Sequence, residues 1–502
     1  MCGEFLDIRF GSSDAYNERI DSPNLLIEGY LDSYRYMDKV LNERYFLVLG
    51  PKGSGKSAIG AKIQLLSESR NNLYSHLYSL KDFSYNEFDT VFPGKEPPEV
   101  RYPNCWEYLF LLSILSSVSQ DSEAKSTLSN IDLKKVVAFY RKLKLLDIVE
   151  IGDLVKSAIK TDVQLCIPNI AELKITGESN KQMPTRDELY NALKRACYSI
   201  VTPNQHIIII DDLDYVLTSR KRQYDSLMSL IIAANKINNE FRINQVKIKI
   251  VVLCRTDVFD NLSGTNKTKI VSDSGLYLDW YQNVANIMDT NIVKLINLRA
   301  KTSLKRDVDV FTEYFPENFT NPSSSDKIDL NSVLTWTRHT PRDAIQLMNS
   351  IQSYVSGDKV SKLDVKNGLR KYALEYFYGE IHDELKGFLS DEDIALVFQL
   401  LSSIGYRNFR FSDIINKIND DSRFKKLNAS KLFNRLYECN AIGNYDERSR
   451  YSNWKYRNRY SSFDQDKVIN VHIALAKALN IGTYSPDIGK AKADNFIDSS
   501  DS

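Results

Sequence analysis

The chain has 502 residues, enough for about three domains of ordinary size. Hydrophobic residues at 43% and charged residues at 26% fit a packed globular protein rather than a disordered one. Lys plus Arg number 66 against 65 Asp plus Glu, which excludes a polycation of the histone kind but leaves room for a local basic patch.

No apolar run approaches the roughly 18 residues of a membrane-spanning helix. The start, MCGEFLDIRFGSSDAYNE, carries early acids and no apolar stretch of signal-peptide length. The six cysteines (Cys2, Cys105, Cys166, Cys197, Cys254, Cys439) contain no CxxC pair, which argues for reduced thiols and against a disulfide framework or a zinc site. The expectation is a cytoplasmic protein with no membrane partner.

Along the chain, a helical pattern around Leu31, Tyr34 and Val40 leads into Tyr45–Leu49, a short apolar run that reads as a buried strand ending at Gly50. Residues 56–66 then place Ile59, Ile63 and Leu66 on one helical face. A second strand is predicted at 73–80. The segment 84–104 holds Pro93, Pro97, Pro98 and Pro103 and reads as a loop. A buried helix is predicted at 106–118, further helices at 131–147 and 185–201, and a polar insertion at 161–184 between them.

Ile207-Ile208-Ile209-Ile210 reads as a strand buried on both faces. A helix at 223–238, a strand at 246–254, an irregular region at 257–285 and a helix at 286–300 follow. Ser323-Ser324-Ser325 sits in a loop. Helices are expected at 341–356, 362–378, 391–403, 411–419, 429–439 and 469–479. Strands alternating with helices in the first 340 residues argue for an α/β domain on a largely parallel sheet, and the last 120 residues for a separate, mostly helical domain. No repeat of fixed period is present.

Gly50-Pro51-Lys52-Gly53-Ser54-Gly55-Lys56-Ser57 matches GxxxxGK[ST] at every fixed position, between a strand and a helix. The chemistry needs these types. Gly50, Gly53 and Gly55 let the backbone wrap a phosphate with N–H groups inward, and the helix beginning near Lys56 adds its positive end. Lys56 is expected at the β- and γ-phosphates and Ser57 on Mg²⁺. The nucleotide-binding set is Gly50, Pro51, Lys52, Gly53, Ser54, Gly55, Lys56, Ser57 and Ala58.

The strand His206–Ile210 ends in Asp211-Asp212-Leu213-Asp214. Ligands of open α/β sheets gather at that strand end. Asp211 is the candidate Mg²⁺ ligand beside Ser57, and Asp212 the candidate general base polarising water. Asp214 is read as a cap or an orienting group. An acid directly after the metal acid suggests a catalytic strand lying next to the phosphate-loop strand.

Arg255, at the tip of KIKIVVLC, is a γ-phosphate sensor candidate; the alternative is a salt bridge with Asp257. Arg342 lies in the first turn of a helix with Thr340 as N-cap and Pro341 at the first position, and is a second candidate; the alternative is that it faces Asp343 in the same turn. Arg220-Lys221-Arg222 could act in trans between subunits or form a solvated face. His206 and His472 read as structural, and the sequence offers no Ser–His–Asp grouping.

GPKGSGKSA, IIIIDDLD, VVLCRTDVF and HTPRDAIQLM, in this order, resemble the AAA+/STAND-type P-loop ATPases, near the FunZ-like or Sll-type bacterial members and with similarity to origin-recognition initiator ATPases. The resemblance implies an ASCE, AAA+-like parallel sheet with helical insertion and lid, over residues 1–340 (insertion about 84–184) and 341–380. It also implies a winged-helix domain over 381–482, around LFNRLYECNAIGN, before a disordered tail at 483–502. Implied too are ATP and Mg²⁺ as cofactors, slow hydrolysis, and homo-oligomerisation. So is control of a separate effector protein in bacterial antiviral defence, since no nuclease, TIR or protease segment is recognisable. A DNA-engaging initiator-like ATPase and a nucleotide-bound scaffold are the alternatives. The absence of an NKxD pattern favours ATP over GTP.

Residues 401–460 contain 13 Lys/Arg against 6 Asp/Glu. Arg448, Arg450, Lys455, Arg457 and Arg459 interleave with Tyr451, Trp454, Tyr456 and Tyr460, as a DNA-contacting wing would. Helix 429–439, with Lys431, Asn434 and Arg435, is the recognition-helix candidate. The competing reading makes this a protein-contact module with Trp454 and Tyr456 in the hairpin core.

Overall fold

A computed structural model describes residues 4–81, 83, 88, 91, 98–164, 186–213, 221–264, 266–320, 328–386, 388–449 and 451–482. Asp214, Arg220, Ser323–Ser325, Arg450, Pro93, Pro97, most of the polar insertion and the tail 483–502 lie outside them, as do the side chains of Lys221 and Arg222. The chain divides into two compact units: residues 34–52 with 56–278, and residues 1–33 with 53–55 and 279–502.

The first unit is built on a five-stranded parallel sheet. Its strands are β1 (Leu47–Gly50), β2 (Leu73–Ser79), β3 (Gln205–Asp211), β4 (Ile248–Arg255) and β5 (Gly275–Tyr277), in the order β2-β3-β4-β1-β5. Burial on both faces explains the unbroken apolar runs: Leu47–Leu49 and Ile207–Ile210 are fully buried. Gly50 lies opposite Arg255, and Ser79 opposite Asp211, so the functional ends of four strands reach one edge.

The order corrects one expectation. The acidic strand β3 is not next to β1; β4 lies between them, pairing with both. Adjacency is a long-range property that the doublet Asp211-Asp212 cannot report.

Helices Pro98–Val118, Leu133–Lys142, Ile151–Gln164 and Arg186–Tyr198 fall between β2 and β3 in the chain. Residues 98–104 are helical, not loop as the prolines suggested, and Pro103 sits inside the helix. Pro103 lies past the first turn and lacks the N–H that would bond the carbonyl of residue 99; the packing of Tyr102, Cys105 and Trp106, all buried, offsets that loss. The region 257–285 is also more ordered than expected: helices Thr256–Asn261 and Lys267–Ser274 precede β5. A three-residue strand is too short to show a period.

The second unit has its own core, in which Phe5, Phe311, Met348, Phe377, Phe433 and Leu475 are buried. Helix Pro341–Gln352 begins as its sequence dictates, with Thr340 accepting from the Asp343 N–H and Pro341 at the first position. Helix Lys362–Lys371 runs through a π-helical stretch, Tyr372–Phe377, into helix Tyr378–Lys386. Helices Asp391–Ile404, Phe411–Asp420 and Ala429–Glu438 then alternate with a four-stranded antiparallel sheet. Its strands are β6 (Asn408–Phe409), β7 (Ile442–Asp446), β8 (Tyr451–Asn453) and β9 (Val468–Val471), ordered β8-β7-β9-β6. This is a winged helix. Residues 469–471 are strand rather than the start of a helix; helix Ile473–Ala478 begins only after His472 caps it.

Candidate nucleotide site

The glycine loop has the backbone its composition demands. Gly53 and Gly55 have φ of +80° and +93°, where a side chain would be strained. A Cβ at Gly55 would meet nothing within 4 Å, so open space faces the loop there. Helix Lys56–Ser69 starts directly after it and points its N-terminal N–H groups back toward the loop.

Lys56 is buried, and its ammonium donates to the carbonyls of Gly50 at 3.0 Å and Pro51 at 2.9 Å. Those carbonyls hold the charge where the loop turns. The Ser54 hydroxyl is buried with no hydrogen-bond partner among the described residues. Open space at Gly55, a poised ammonium, the unpartnered Ser54 hydroxyl and a helix N-terminus fit a phosphate chain. Ser57 and Ala58 are half-buried in the first helical turn, next to Lys56.

Asp211 is buried at the end of β3, and one of its oxygens accepts the Asp212 N–H at 2.8 Å. Asp212 has φ of +60°, a left-handed conformation that Asp adopts more readily than most residues. Its Oδ2 accepts from the Ser79 hydroxyl at 2.7 Å, across the β2–β3 boundary. Ser79 escaped the sequence reading; its only signal is its place at the end of a predicted strand. Among the described residues no group of three or more His, Cys, Asp and Glu could hold a metal. Mg²⁺ needs no such group, because it takes one or two protein oxygens and completes its shell with water and phosphate. Ser57 and Asp211 are of the type it takes.

Arg255 is buried at the end of β4 and makes a two-pronged pair with Asp257 at 2.9 and 2.8 Å. Arg342 belongs to the second unit. There its backbone N–H donates to the Gly53 carbonyl at 3.3 Å, and its side chain donates to the Ser13 carbonyl at 2.8 Å and lies 3.8 Å from Glu380. The neighbouring Arg338, unremarked in the sequence, is nearly fully buried among carboxylates. It pairs with Asp343 at 2.9 and 2.8 Å and with Glu384 at 2.9 Å, and Tyr376 donates to the same Asp343. The Arg338 charge holds the Asp343 carboxyl well below the usual carboxylate range against the opposing effect of burial.

The basic C-terminal residues separate into kinds. Lys431 and Asn434 are exposed on helix Ala429–Glu438. Arg435 instead lies over the Phe388 ring at 3.5 Å and donates to the Glu384 carbonyl at 2.9 Å. Lys455 pairs with Glu438 at 3.0 Å. Trp454 is buried against Gly443, where a Cβ would come within 2.7 Å of the ring. That is the hairpin-core role foreseen as the alternative for Trp454; Tyr456, expected there too, is half-buried and stacks on His339 instead. The structure also brings together Ser117, His206 and Asp121, at 2.9 and 3.2 Å. Ser117 lies in the last turn of helix Pro98–Val118, whose free backbone groups are carbonyls, the wrong polarity for an oxyanion. The three form a buried strut at the opposite end of β3, consistent with a structural His206.

No protein-family model matches the chain, and no curated protein matches it. Among solved structures, the Orc1 protein of Aeropyrum pernix, in complex with DNA, is similar over 92% of this chain and 96% of its own, at 12% identity and a TM-score of 0.40. Cdc6p from Pyrobaculum aerophilum is similar over 96% of this chain and 93% of its own, at 12% identity and a TM-score of 0.29. A likeness this loose carries no functional assignment. The strand order and the C-terminal hairpin by themselves define the fold class: an α/β P-loop sheet of the AAA+ type joined to a winged helix.

Proposed function

We propose that the chain is an ATP- and Mg²⁺-dependent P-loop ATPase whose nucleotide state governs how its winged helix engages DNA. One observation carries the reading. The Lys56 ammonium is buried and held on the Gly50 and Pro51 carbonyls at the mouth of a glycine loop, at the sheet edge where β3 delivers Asp211.

In this reading Gly50–Ala58 wrap the phosphates, Lys56 neutralises the β- and γ-phosphates, and Ser57 and Asp211 hold the magnesium shell. Asp212 orients and polarises the attacking water. Arg255 and Arg342 are the candidate sensors, and each must exchange a present partner, Asp257 or the Ser13 carbonyl, for phosphate oxygen. The DNA-engaging reading is preferred to the effector-controlling switch because the C-terminal domain is a winged helix with a local excess of cations.

Calorimetry of ATP with Mg²⁺ tests the first half: Lys56→Ala should lose the binding heat, and an unchanged heat would overturn the reading. Turnover measured with and without duplex DNA tests the second. A size shift with ATP and no response to DNA would instead favour the oligomerising switch with a separate effector.

A further inference from the structure

The basic aromatic stretch that follows β8 is already occupied by the chain itself. The Arg457 guanidinium lies 5.4 Å from the Tyr281 ring, 5.6 Å from Tyr451 and 6.0 Å from Tyr456. Arg459 pairs with Asp279 at 2.9 Å. Tyr456 stacks on His339 at 5.2 Å and meets Tyr281 edge-on at 5.8 Å. His339 sits in left-handed backbone, φ +51°, which turns the chain just before helix Pro341–Gln352.

These contacts use the chemistry that nucleic acid would supply. An arginine on a carboxylate makes the bond it makes to a phosphate, and an arginine or tyrosine on a ring makes the contact it makes to a base. The holding groups are also tied to the glycine loop. Trp280, next to Asp279 and Tyr281, donates from Nε1 to the Ser54 carbonyl at 2.8 Å. Arg342, three residues after His339, donates to the Gly53 carbonyl.

We propose that residues 456–460 form a nucleic-acid-binding surface held closed by the chain's own Asp279, Tyr281 and His339, so that this docking and duplex DNA exclude each other. Asp279 stands where a backbone phosphate would, and Tyr281 where a base would. The proposal rests on the DNA-engaging reading above. The closed state is built to be exchanged: the Arg459–Asp279 pair is 30% and 60% exposed, so solvent and salt weaken it. Trp454, 5% exposed and wedged against Gly443, and Lys455, bound to Glu438 and to the Ser461 carbonyl, stay behind as the anchor.

The test compares the full chain with Asp279→Asn/Tyr281→Ala and with Arg457→Glu/Arg459→Glu. Two readouts are used: tryptic cleavage after Arg457 and Arg459, followed by mass, and affinity for a labelled random-sequence duplex at low salt. Opening the closed state should speed cleavage and tighten duplex binding by about fivefold to tenfold, the gain expected when an open form of about 10–20% becomes dominant. The charge reversal should weaken binding, and adding it to the opened variant should erase the gain. Faster cleavage with unchanged or weaker duplex binding overturns this proposal and leaves the ATPase reading intact, as does unchanged cleavage. No duplex binding by any of the three overturns the DNA reading and this proposal together. Asp279→Asn alone changes an exposed, isosteric side chain and should show the same sign even if the double variant folds poorly.

Discussion

The Ser79 hydroxyl donates to Oδ2 of Asp212 at 2.7 Å, tying the end of β2 to the residue that follows β3. The bond occupies one carboxylate oxygen of Asp212 and fixes its direction, so that oxygen is not offered to water. If Asp212 polarises the attacking water, Ser79→Ala should raise basal ATP turnover by about twofold to fivefold with little change in KM. Asp212→Asn should lower turnover by about a hundredfold or more while ATP binding persists. Steady-state phosphate release and calorimetry read both. A Ser79→Ala variant with lower turnover would mean that Ser79 positions the acid rather than restraining it.

Gly368 lies where helix Lys362–Lys371 crosses Pro341–Gln352. A Cβ there would stand 2.5 Å from the Ile351 Cα and 2.8 Å from its backbone nitrogen. Backbone atoms cannot rotate away, so Gly368→Ala should overpack the crossing and cost about 1–3 kcal/mol. Thermal melting of the variant should show a clear drop in Tm; an unchanged melt would mean that the two helices separate freely.

Arg338 neutralises Asp343 and Glu384 in the same core. Arg338→Met would leave Asp343, fully buried, and Glu384, 8% exposed, without their cation. Removing one partner of a buried ion network costs about 3–5 kcal/mol. Arg338→Lys should recover only part of that, because an ammonium cannot reproduce the two-pronged contact with Asp343. Urea denaturation of the three proteins gives the ranking, and equal midpoints would show that the network adds nothing.

His472 is buried, stacked on Phe377 at 4.3 Å, and accepts the Ala474 N–H through Nδ1 at 3.3 Å. Burial, and the nearby Arg407 and Arg338 charges, push its pKa down to about 3. The unfolded chain therefore binds a proton near pH 6.5 that the folded chain refuses until about pH 3. Stability falls as the pH drops through that window, by about 2 kcal/mol from this group at pH 5. His472→Gln should lose this part of the acid sensitivity. A variant with the wild-type loss between pH 7 and pH 5 would show that other groups carry it.

Much of the candidate site was legible because it is local. The glycine loop needs positive φ at Gly53 and Gly55, and glycine is the residue that adopts it at least cost. The four isoleucines of β3 and the cap of helix Pro341–Gln352 likewise satisfy conditions set within a few residues. The C-terminal region was legible from its residues only as a run of short helices with a basic, aromatic stretch; the winged helix was implied by the family resemblance, and its four-stranded sheet is set by pairing between distant strands.

What the sequence determined by itself were features whose cause lies within one turn or one strand: the loop, the capped helices, the buried runs. Tertiary structure decided who meets whom. It placed β4 between β1 and β3, set Ser79 on Asp212 and enclosed Arg338 among three acids. It also turned Arg457 and Arg459 onto Tyr281 and Asp279. Except for Arg338 and Asp343, which share one helix start, those partners lie tens to hundreds of residues apart, and their meeting follows from how the whole core buries its apolar surface, which no short window of sequence encodes.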